Sequence, residues 1–392
     1  MRFIVPTRLA PGLLWIALSS PNAWVSPTKR FPTFTEHPDR PMNNLLRVGI
    51  AGYGIVGKRR HGIMRLRDDM KVVAVCDRTF EKPGALKDGV RNYPNYKELL
   101  EEDLDALFVC ISNDMAAKVT IAGLEKGLHV FCEKPPGRDL NDIQDVIDCE
   151  KRHTNLVLKY GFNHRYHDSV RRAIDIVKSG ELGNVVNLRG VYGKSQLVTF
   201  GQDSDWRVQR KFSGGGILLD QGIHMVDLIR LFSGEFIDIH SFISNDYWKH
   251  DVEDNAYAIM RTKNGVVAML HSSGTQWRHR FHLEITLQKG TLILGGILSG
   301  SKSYGDETLT ISRMHDDDRG DPDEEIIHYH NDPSWSDEIE EFANAILNGG
   351  LICNGTSDEA FKTMQLVYQI YCADTDWKGK WSLSETPTLS AS

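Results

Sequence analysis

No apolar run in the 392-residue chain is long enough to cross a membrane. The stretch Leu13 to Leu18 falls far short of the roughly 20 residues that a span needs. Six cysteines are present, but no C-x-x-C pair, which argues against a zinc site. Positive charge is not in excess: 46 Lys and Arg face 53 Asp and Glu, a net charge of −7, so no global basic field draws nucleic acid. The basic cluster Lys58-Arg59-Arg60 is too short to change that. No internal repeat is found, which sets aside solenoids and propellers. The acidic segment Asp316 to Glu325 lacks the spacing of a calcium loop and reads as a solvated hairpin loop. His328 and His330 alternate in a strand-like run and share one sheet face, so no metal site is expected. What remains is ordinary globular composition, 41% hydrophobic and 25% charged, with length for two or three domains and a sizeable core.

Residues 1–41 differ from the rest. Arg2 and Arg8 precede a short apolar run, and Pro and Ser recur from Pro21 to Pro41. A signal-like segment, a true start at Met42 and a non-structural targeting extension are all compatible with this pattern; the extension is the preferred reading. From Leu46 onward, β-branched runs alternate with helical patterns: Leu46–Ala51, Val72–Cys76, Ala106–Ile111, Leu128–Cys132 and Leu156–Tyr160 as strands, with helices between them. That alternation predicts a parallel sheet covered on both faces. Cys76, Cys110 and Cys132 sit in or beside these strands, as buried reduced thiols of a cytoplasmic protein do.

After Asn163 the pattern changes. A helix over Val170–Val177 and a strand over Val185–Tyr192 precede a helix ending near Phe232. Strand-like runs then crowd together at Ile237–Ile243, Ala256–Arg261, Val266–His271, Phe281–Leu287 and Thr291–Leu294. Asn264-Gly265 is a hairpin turn signal, and Gln288-Lys289-Gly290 a weaker one. Two helices close the chain, with Ser334/Asp337 and Thr356/Glu359 as capping boxes. The predicted fold class is α/β: an N-terminal dinucleotide-binding domain over 42–163, and a C-terminal α/β domain over 164–392 with a large, open, mainly antiparallel sheet.

Gly52-Tyr53-Gly54-Ile55-Val56-Gly57 follows a strand and opens a helix. The first glycine permits the turn, the second lets backbone approach a pyrophosphate, and the third lets helix and strand pack. The helix N-terminus offers its N–H groups to the phosphates. Asp77, twenty residues after Gly57, ends the second strand, where a carboxylate accepts from ribose hydroxyls and repels a 2′-phosphate. NAD is therefore expected. Arg78 keeps NADP possible, because a neighbouring arginine can pair with that phosphate.

Glu133-Lys134-Pro135 follows the fourth strand, at the carboxyl edge where open parallel sheets bind ligands. Lys134 is thereby placed near a nicotinamide, and the bond before Pro135 is a candidate for cis. Gly214-Gly215-Gly216 opens a helical run in which Asp220 and His224 stand four residues apart. On an α-helix that spacing brings two Cβ atoms within about 5–6 Å. Two readings fit: polar residues on a solvated helix start, or a carboxylate beside an imidazole acting as an acid–base pair. Lys134 and the glycine motif favour the second. The triple glycine is expected to let the backbone turn close to substrate.

These motifs together resemble the glucose–fructose oxidoreductase/inositol dehydrogenase/MocA family. The resemblance runs from Leu46 to about Leu383. It rests on Gly52–Gly57, Asn113, Glu133-Lys134-Pro135, Gly161-Phe162-Asn163-His164-Arg165, Glu181-Leu182-Gly183 and Gly214–Asp227. It implies a Rossmann domain, a second domain for substrate and oligomerisation, and a homodimer or homotetramer packed through the open sheet. It also implies NAD(P)-dependent hydride transfer at a hydroxyl-bearing carbon of a cyclitol, sugar or sugar derivative.

Lys134, Asp220 and His224 match the family's catalytic positions. His224 is expected to take the hydroxyl proton, Lys134 to stabilise the oxygen, and Asp220 to orient the histidine or hold a neighbouring hydroxyl. Ser112, Asn113, Glu133 and Lys134 join residues 52–57, Asp77 and Arg78 as cofactor contacts. Arg165, Trp206 and Arg207, with Lys194 and Arg210 nearby, are substrate-side candidates. The alternative for the last group is an indole packed under a loop with solvated arginines. One departure stands out: Ala116 occupies the place where the family often has a histidine after Asn113. Two other activities occur on this fold, an NAD-dependent glycosidase with a transient redox cycle and a non-catalytic NAD-binding regulator; the intact Lys134, Asp220 and His224 argue against the latter.

Overall fold

The structure is a computed structural model that describes residues 45–196, 205–299, 303–315, 317 and 322–388. The proposed extension over 1–41, and residues 316 and 318–321 of the acidic segment, lie outside the described residues. The first lobe begins with β1 (Leu46–Ala51), α1 (Ile55–Met64) and β2 (Met70–Cys76). Short strands β3 (Gly84–Ala85) and β4 (Arg91–Tyr93) and the one-turn helix α2 (Tyr96–Leu99) follow. Then come β5 (Ala106–Val109), α3 (Asn113–Glu125), β6 (His129–Glu133), α4 (Leu140–Glu150) and β7 (Leu158–Gly161).

These strands form one sheet in the order β3-β4-β2-β1-β5-β6-β7. All pairs are parallel except β3/β4. Helices cover both faces, so the strands are buried nearly end to end; Val48, Ile50, Ala106, Leu107, Phe108, Val130 and Phe131 are inaccessible. Ala51 pairs with Cys76 and Val109, and Val109 with Cys132. That register brings the segments beginning at Gly52, Asp77 and Glu133 to one edge of the sheet.

The second lobe comprises α5 (Asp168–Ser179), β8 (Val185–Gly193), α6 (Arg210–Ser213), α7 (Ile223–Ser233), β9 (Phe236–Ser244), β10 (Asn255–Thr262), β11 (Val267–Ser273), β12 (Arg280–Leu287), β13 (Gly290–Gly295), β14 (Glu307–Arg313) and β15 (Asp323–Tyr329). The chain closes with α8 (Ser334–Asn348), α9 (Ser357–Ala373) and α10 (Thr375–Trp381). The eight-stranded sheet runs β15-β14-β13-β12-β8-β11-β10-β9 and is antiparallel apart from β8/β11. Its strands alternate strictly, as in β10, where Ala256, Ala258 and Met260 are buried while Tyr257, Ile259 and Arg261 are exposed. Helices α5, α7 and α9 pack on the buried face. The other face stays open, presenting Phe242, Tyr257, Ile259, Val267 and Met269 to solvent.

Three readings of the C-terminal region are corrected. First, three helices close the chain rather than two. Second, Thr356 does cap α9, its hydroxyl accepting from Glu359 N–H (3.2 Å), but Ser334 is already inside α8. Asp332 accepts from the Ser334 N–H (3.1 Å) and hydroxyl (2.6 Å) and takes the cap role. Third, α8 does not stay in the second lobe. Its Ile339, Phe342, Ala343 and Ile346 join Val48, Ile50, Phe108 and Phe131 in one core. Phe342 stands edge-on to Phe108 (5.4 Å) and Phe131 (5.7 Å). The apolar stripe of α8 is buried against the first sheet, so residues 334–348 belong by packing to the first lobe.

Candidate active site

Gly52, at the end of β1, has φ +92°, and a side chain there would meet the Cys110 carbonyl at 2.1 Å. Glycine is required at that turn. Around Gly54, by contrast, nothing lies within 4 Å of where a side chain would stand. No side chain caps the start of α1 at this residue. An uncapped helix end beside open space suits a pyrophosphate. The Tyr53 N–H donates to Asp77 Oδ2 (2.8 Å), while Thr79 N–H (3.0 Å) and hydroxyl (2.8 Å) donate to Oδ1. Three donors hold the carboxylate at the end of β2 and leave about one acceptor position for a ribose hydroxyl. The Tyr53 hydroxyl contacts His61 Nδ1 (2.7 Å), Arg78 and Ile55 are exposed, and Val56 is half-buried. The residues present fit NAD.

Three other cofactor candidates carry structural bonds. Ser112 precedes α3, and its hydroxyl donates to Asp114 (2.6 Å). Asn113 is buried and donates to the Ser213 carbonyl (2.7 Å), tying α3 to the second lobe. Glu133 accepts from Arg60 Nε (2.7 Å), and the same guanidinium donates to buried Glu338 (2.7 Å). Burial outweighs the Arg60 charge at Glu338 and pushes its carboxyl above the usual range.

Lys134 follows directly, and its peptide bond to Pro135 is cis. Its ammonium donates to the Asp220 carbonyl and stands 3.8 Å from Asp220 Oδ1. Lys194 Nζ is 3.6 Å from Oδ2, and Arg207 Nε is 3.8 Å from Oδ1. Burial alone would raise the Asp220 carboxyl, but these three cations hold it well below the usual carboxylate range. Asp220 lies in a π-helical turn, Leu218–Gly222, that feeds α7, not in a regular α-helix. No hydrogen bond joins it to His224 among the described residues, so its carboxylate serves the cations and does not orient the ring. His224 Nδ1 is buried without a hydrogen-bond partner.

What holds the His224 ring is a second imidazole. His164 stacks on it with centroids 3.8 Å apart and planes within 11°. His164 is fixed in turn by Asn163 Oδ1 (3.2 Å) and the Tyr192 hydroxyl (3.1 Å). Burial, then the nearby Lys134 charge, push His224 well below its ordinary value; burial, then His224, do the same to His164. Both rings are therefore neutral near pH 7, the state a proton acceptor needs.

The triple glycine is corrected too. A side chain at Gly214 would sit 2.1 Å from the Arg138 carbonyl, and one at Gly216 would sit 2.0 Å from the Glu253 carbonyl. The close approach is to protein backbone, not to substrate. Buried Glu253 accepts from Gly216 N–H (2.8 Å), Leu218 N–H (2.9 Å) and the Tyr371 hydroxyl (2.7 Å), anchoring the turn that carries Asp220.

Arg165 leaves the list of substrate contacts. It is buried and makes a two-pronged bond with Asp227 (2.7 and 2.6 Å) plus one with Glu359 (3.0 Å). The Arg210 guanidinium is likewise engaged, donating to the Asp251 carbonyl (3.2 Å) and the Gly214 carbonyl (2.8 Å) and lying over the Trp381 ring. Arg207 lies over the half-buried Trp206 ring at 4.4 Å while reaching Asp220. Sequence reading missed His164, Tyr192 and Glu253. The one available signal was the position of His164 just past the carboxyl end of β7, the same edge as Lys134.

Family comparison agrees with this arrangement. Residues 46–162 match the model of the oxidoreductase family, NAD-binding Rossmann fold, and residues 170–293 match the GFO/IDH/MocA C-terminal domain. The chain belongs to the GFO/IDH/MocA family. Similar proteins include a myo-inositol 2-dehydrogenase of Thermotoga maritima, 27% identical over 58% of this chain and 68% of the relative. A D-glucoside 3-dehydrogenase of Escherichia coli is 28% identical over 58% and 70%. Among solved structures, a levoglucosan dehydrogenase in complex with NADH superposes with a TM-score of 0.71 at 19% identity, covering 85% of this chain and 98% of that one; at that identity the likeness speaks for the fold alone. This family member is an oxidoreductase with an NAD-binding Rossmann domain followed by an α/β domain bearing a large, mostly antiparallel sheet. Among the described residues no helix is long and apolar enough to cross a membrane. All six cysteines are free.

Proposed function

We propose that this enzyme transfers hydride between the nicotinamide of NAD and a hydroxyl-bearing carbon of a sugar, cyclitol or sugar derivative. The observation that carries the reading is the meeting of Lys134, from the carboxyl edge of the first sheet, with Asp220 of the second lobe, close enough to His224 for its charge to act on that ring. NAD bound at Gly52–Gly57 would supply the hydride acceptor. His224 accepts the proton of the substrate hydroxyl as a neutral imidazole, its face held by His164. The Lys134 ammonium stabilises the negative charge developing on that oxygen. Asp220, kept ionised, restrains Lys134 and is placed to accept from a neighbouring hydroxyl. The test is NADH absorbance across inositols, aldoses and glycosides: NADH accumulates with at least one polyol without sugar release. Sugar release with no net NADH would point instead to the redox-cycling glycosidase.

We further infer a homo-oligomer, a dimer or tetramer, packed through the open sheet face. Phe242, Tyr257 and Ile259 stand adjacent there in cross-strand register or on the same strand, with 78, 45 and 53% exposure. A contiguous apolar face of this kind favours a protein partner over water. Ile259→Glu is expected to lower the mass seen by light scattering to that of the monomer. An unchanged mass in the variant, or a monomeric parent, would reject the interface.

A further inference from the structure

Lys134 and His224 suffice for hydride chemistry at a hydroxyl-bearing carbon. The site nonetheless holds two more cations, Lys194 and Arg207, on segments unconnected to the glycine motif or to α7. Lys194 follows β8, and its side chain is only 10% exposed. Burying an ammonium is unfavourable unless a partner compensates it. The partner present is poor: among the described residues the one carboxylate paired with Lys194 is Asp220, at 3.6 Å, and Asp220 is shared with Lys134 and Arg207 at 3.8 Å each. The contrast with Arg165 is direct, because that buried cation makes close double bonds of 2.6 and 2.7 Å to a carboxylate of its own.

Among the described residues, three cations around one carboxylate leave an excess of two positive charges, and the two imidazoles of the site, His164 and His224, are neutral. The other described polar groups nearby add no negative charge: Tyr192 comes from β8, Gln221 bonds the Tyr304 hydroxyl (2.8 Å), and His279 contacts Ser195 (3.0 Å). A neutral polyol would leave that charge unanswered. A substrate carrying a carboxylate or phosphate would answer it with charge-assisted bonds in a partly dry site.

We infer that the substrate is a monosaccharide or cyclitol derivative bearing one anionic group, bound by Lys194 and Arg207 while Lys134 and His224 act on a hydroxyl. The inference rests on the dehydrogenase reading above for its chemistry, but not for its binding. The test compares matched pairs, D-glucose with D-glucuronate and with D-glucose 6-phosphate, by NADH formation and by calorimetric titration of the NADH-loaded enzyme. One anionic member is expected to exceed its neutral parent by about 100-fold in kcat/KM or in affinity, and the two anionic arms separate carboxylate from phosphate. Lys194→Met should cut that ratio at least about 10-fold, with Lys194→Arg restoring most of it and so excluding misfolding as the cause. Lys194-dependent anion binding without any NADH would sink the dehydrogenase reading and leave this one standing. Turnover of neutral sugars with no anion preference does the reverse. Absence of Lys194-dependent anion binding in both assays overturns the inference.

Discussion

Replacement of His224 by alanine is expected to lower turnover by about 10²–10⁴-fold, the usual share of a positioned proton acceptor. NAD affinity, read by titration calorimetry, should stay near that of the parent, because the Gly52–Gly57 turn and Asp77 are separate from α7. The pH profile adds a signature that a purely structural histidine would not give. Burial and the Lys134 charge depress the His224 pKa, so its neutral form persists below the ordinary value of about 6.5. The acid limb of kcat/KM therefore falls below that pH. Lys134→Met removes one cause of the depression and should move the limb upward, while also lowering kcat/KM by roughly 10²–10³-fold through loss of the oxyanion partner. A His224→Ala enzyme with parental turnover would remove the residue from the chemistry. Depressed folded-state values at His164 and His224 also bear on stability. Their contribution is full above about 6.5, and is lost as falling pH protonates the unfolded chain in preference to the folded one.

Asp227→Ala is expected to have the largest effect on stability. Asp227 receives both prongs of Arg165 and the Thr363 hydroxyl (2.9 Å), and Arg165 and Asp227 side chains are 3 and 1% exposed. Glu359 links the same guanidinium to Arg230 (2.9 Å), so the network joins the turn after β7, α7 and α9. Removing one partner of a buried ion pair leaves an unanswered charge and costs about 3–5 kcal/mol. At roughly 1.2 °C per kcal/mol for a chain of 392 residues, the melting temperature should fall by about 4–6 °C. The double variant Arg165→Met/Asp227→Ala should recover part of that loss, because neither charge is then stranded. A fall in substrate affinity with no change in melting would return Arg165 to the substrate side.

The contrast between these two residues shows what was legible in the sequence. Gly52–Gly57, Asp77, Lys134 and the helix bearing His224 were readable because their geometry is local: a strand, a turn and a helix start lie within one short window. Arg165 was misassigned because its partners, Asp227 and Glu359, are distant in sequence, and a lone arginine beside a strand end gives no sign of them. The π-helical turn at Asp220 is set by Glu253 from another segment, which no periodicity around Asp220 could announce. Strand β14 was overlooked although Leu309 and Ile311 alternate with Thr308, Thr310 and Ser312, because two apolar residues make only a short signal. The stacking of His164 on His224 is likewise a property of tertiary packing, between a turn after β7 and a helix of the other lobe.

The course of α8 has a consequence for modularity. The peptide leaves the first lobe after Gly161, builds the large sheet, and then returns to lay Phe342 across Phe108 and Phe131 before departing again into α9. A single cut therefore cannot sever the dinucleotide-binding lobe from its neighbour without stripping one wall of its core. The two lobes are interleaved rather than strung in series.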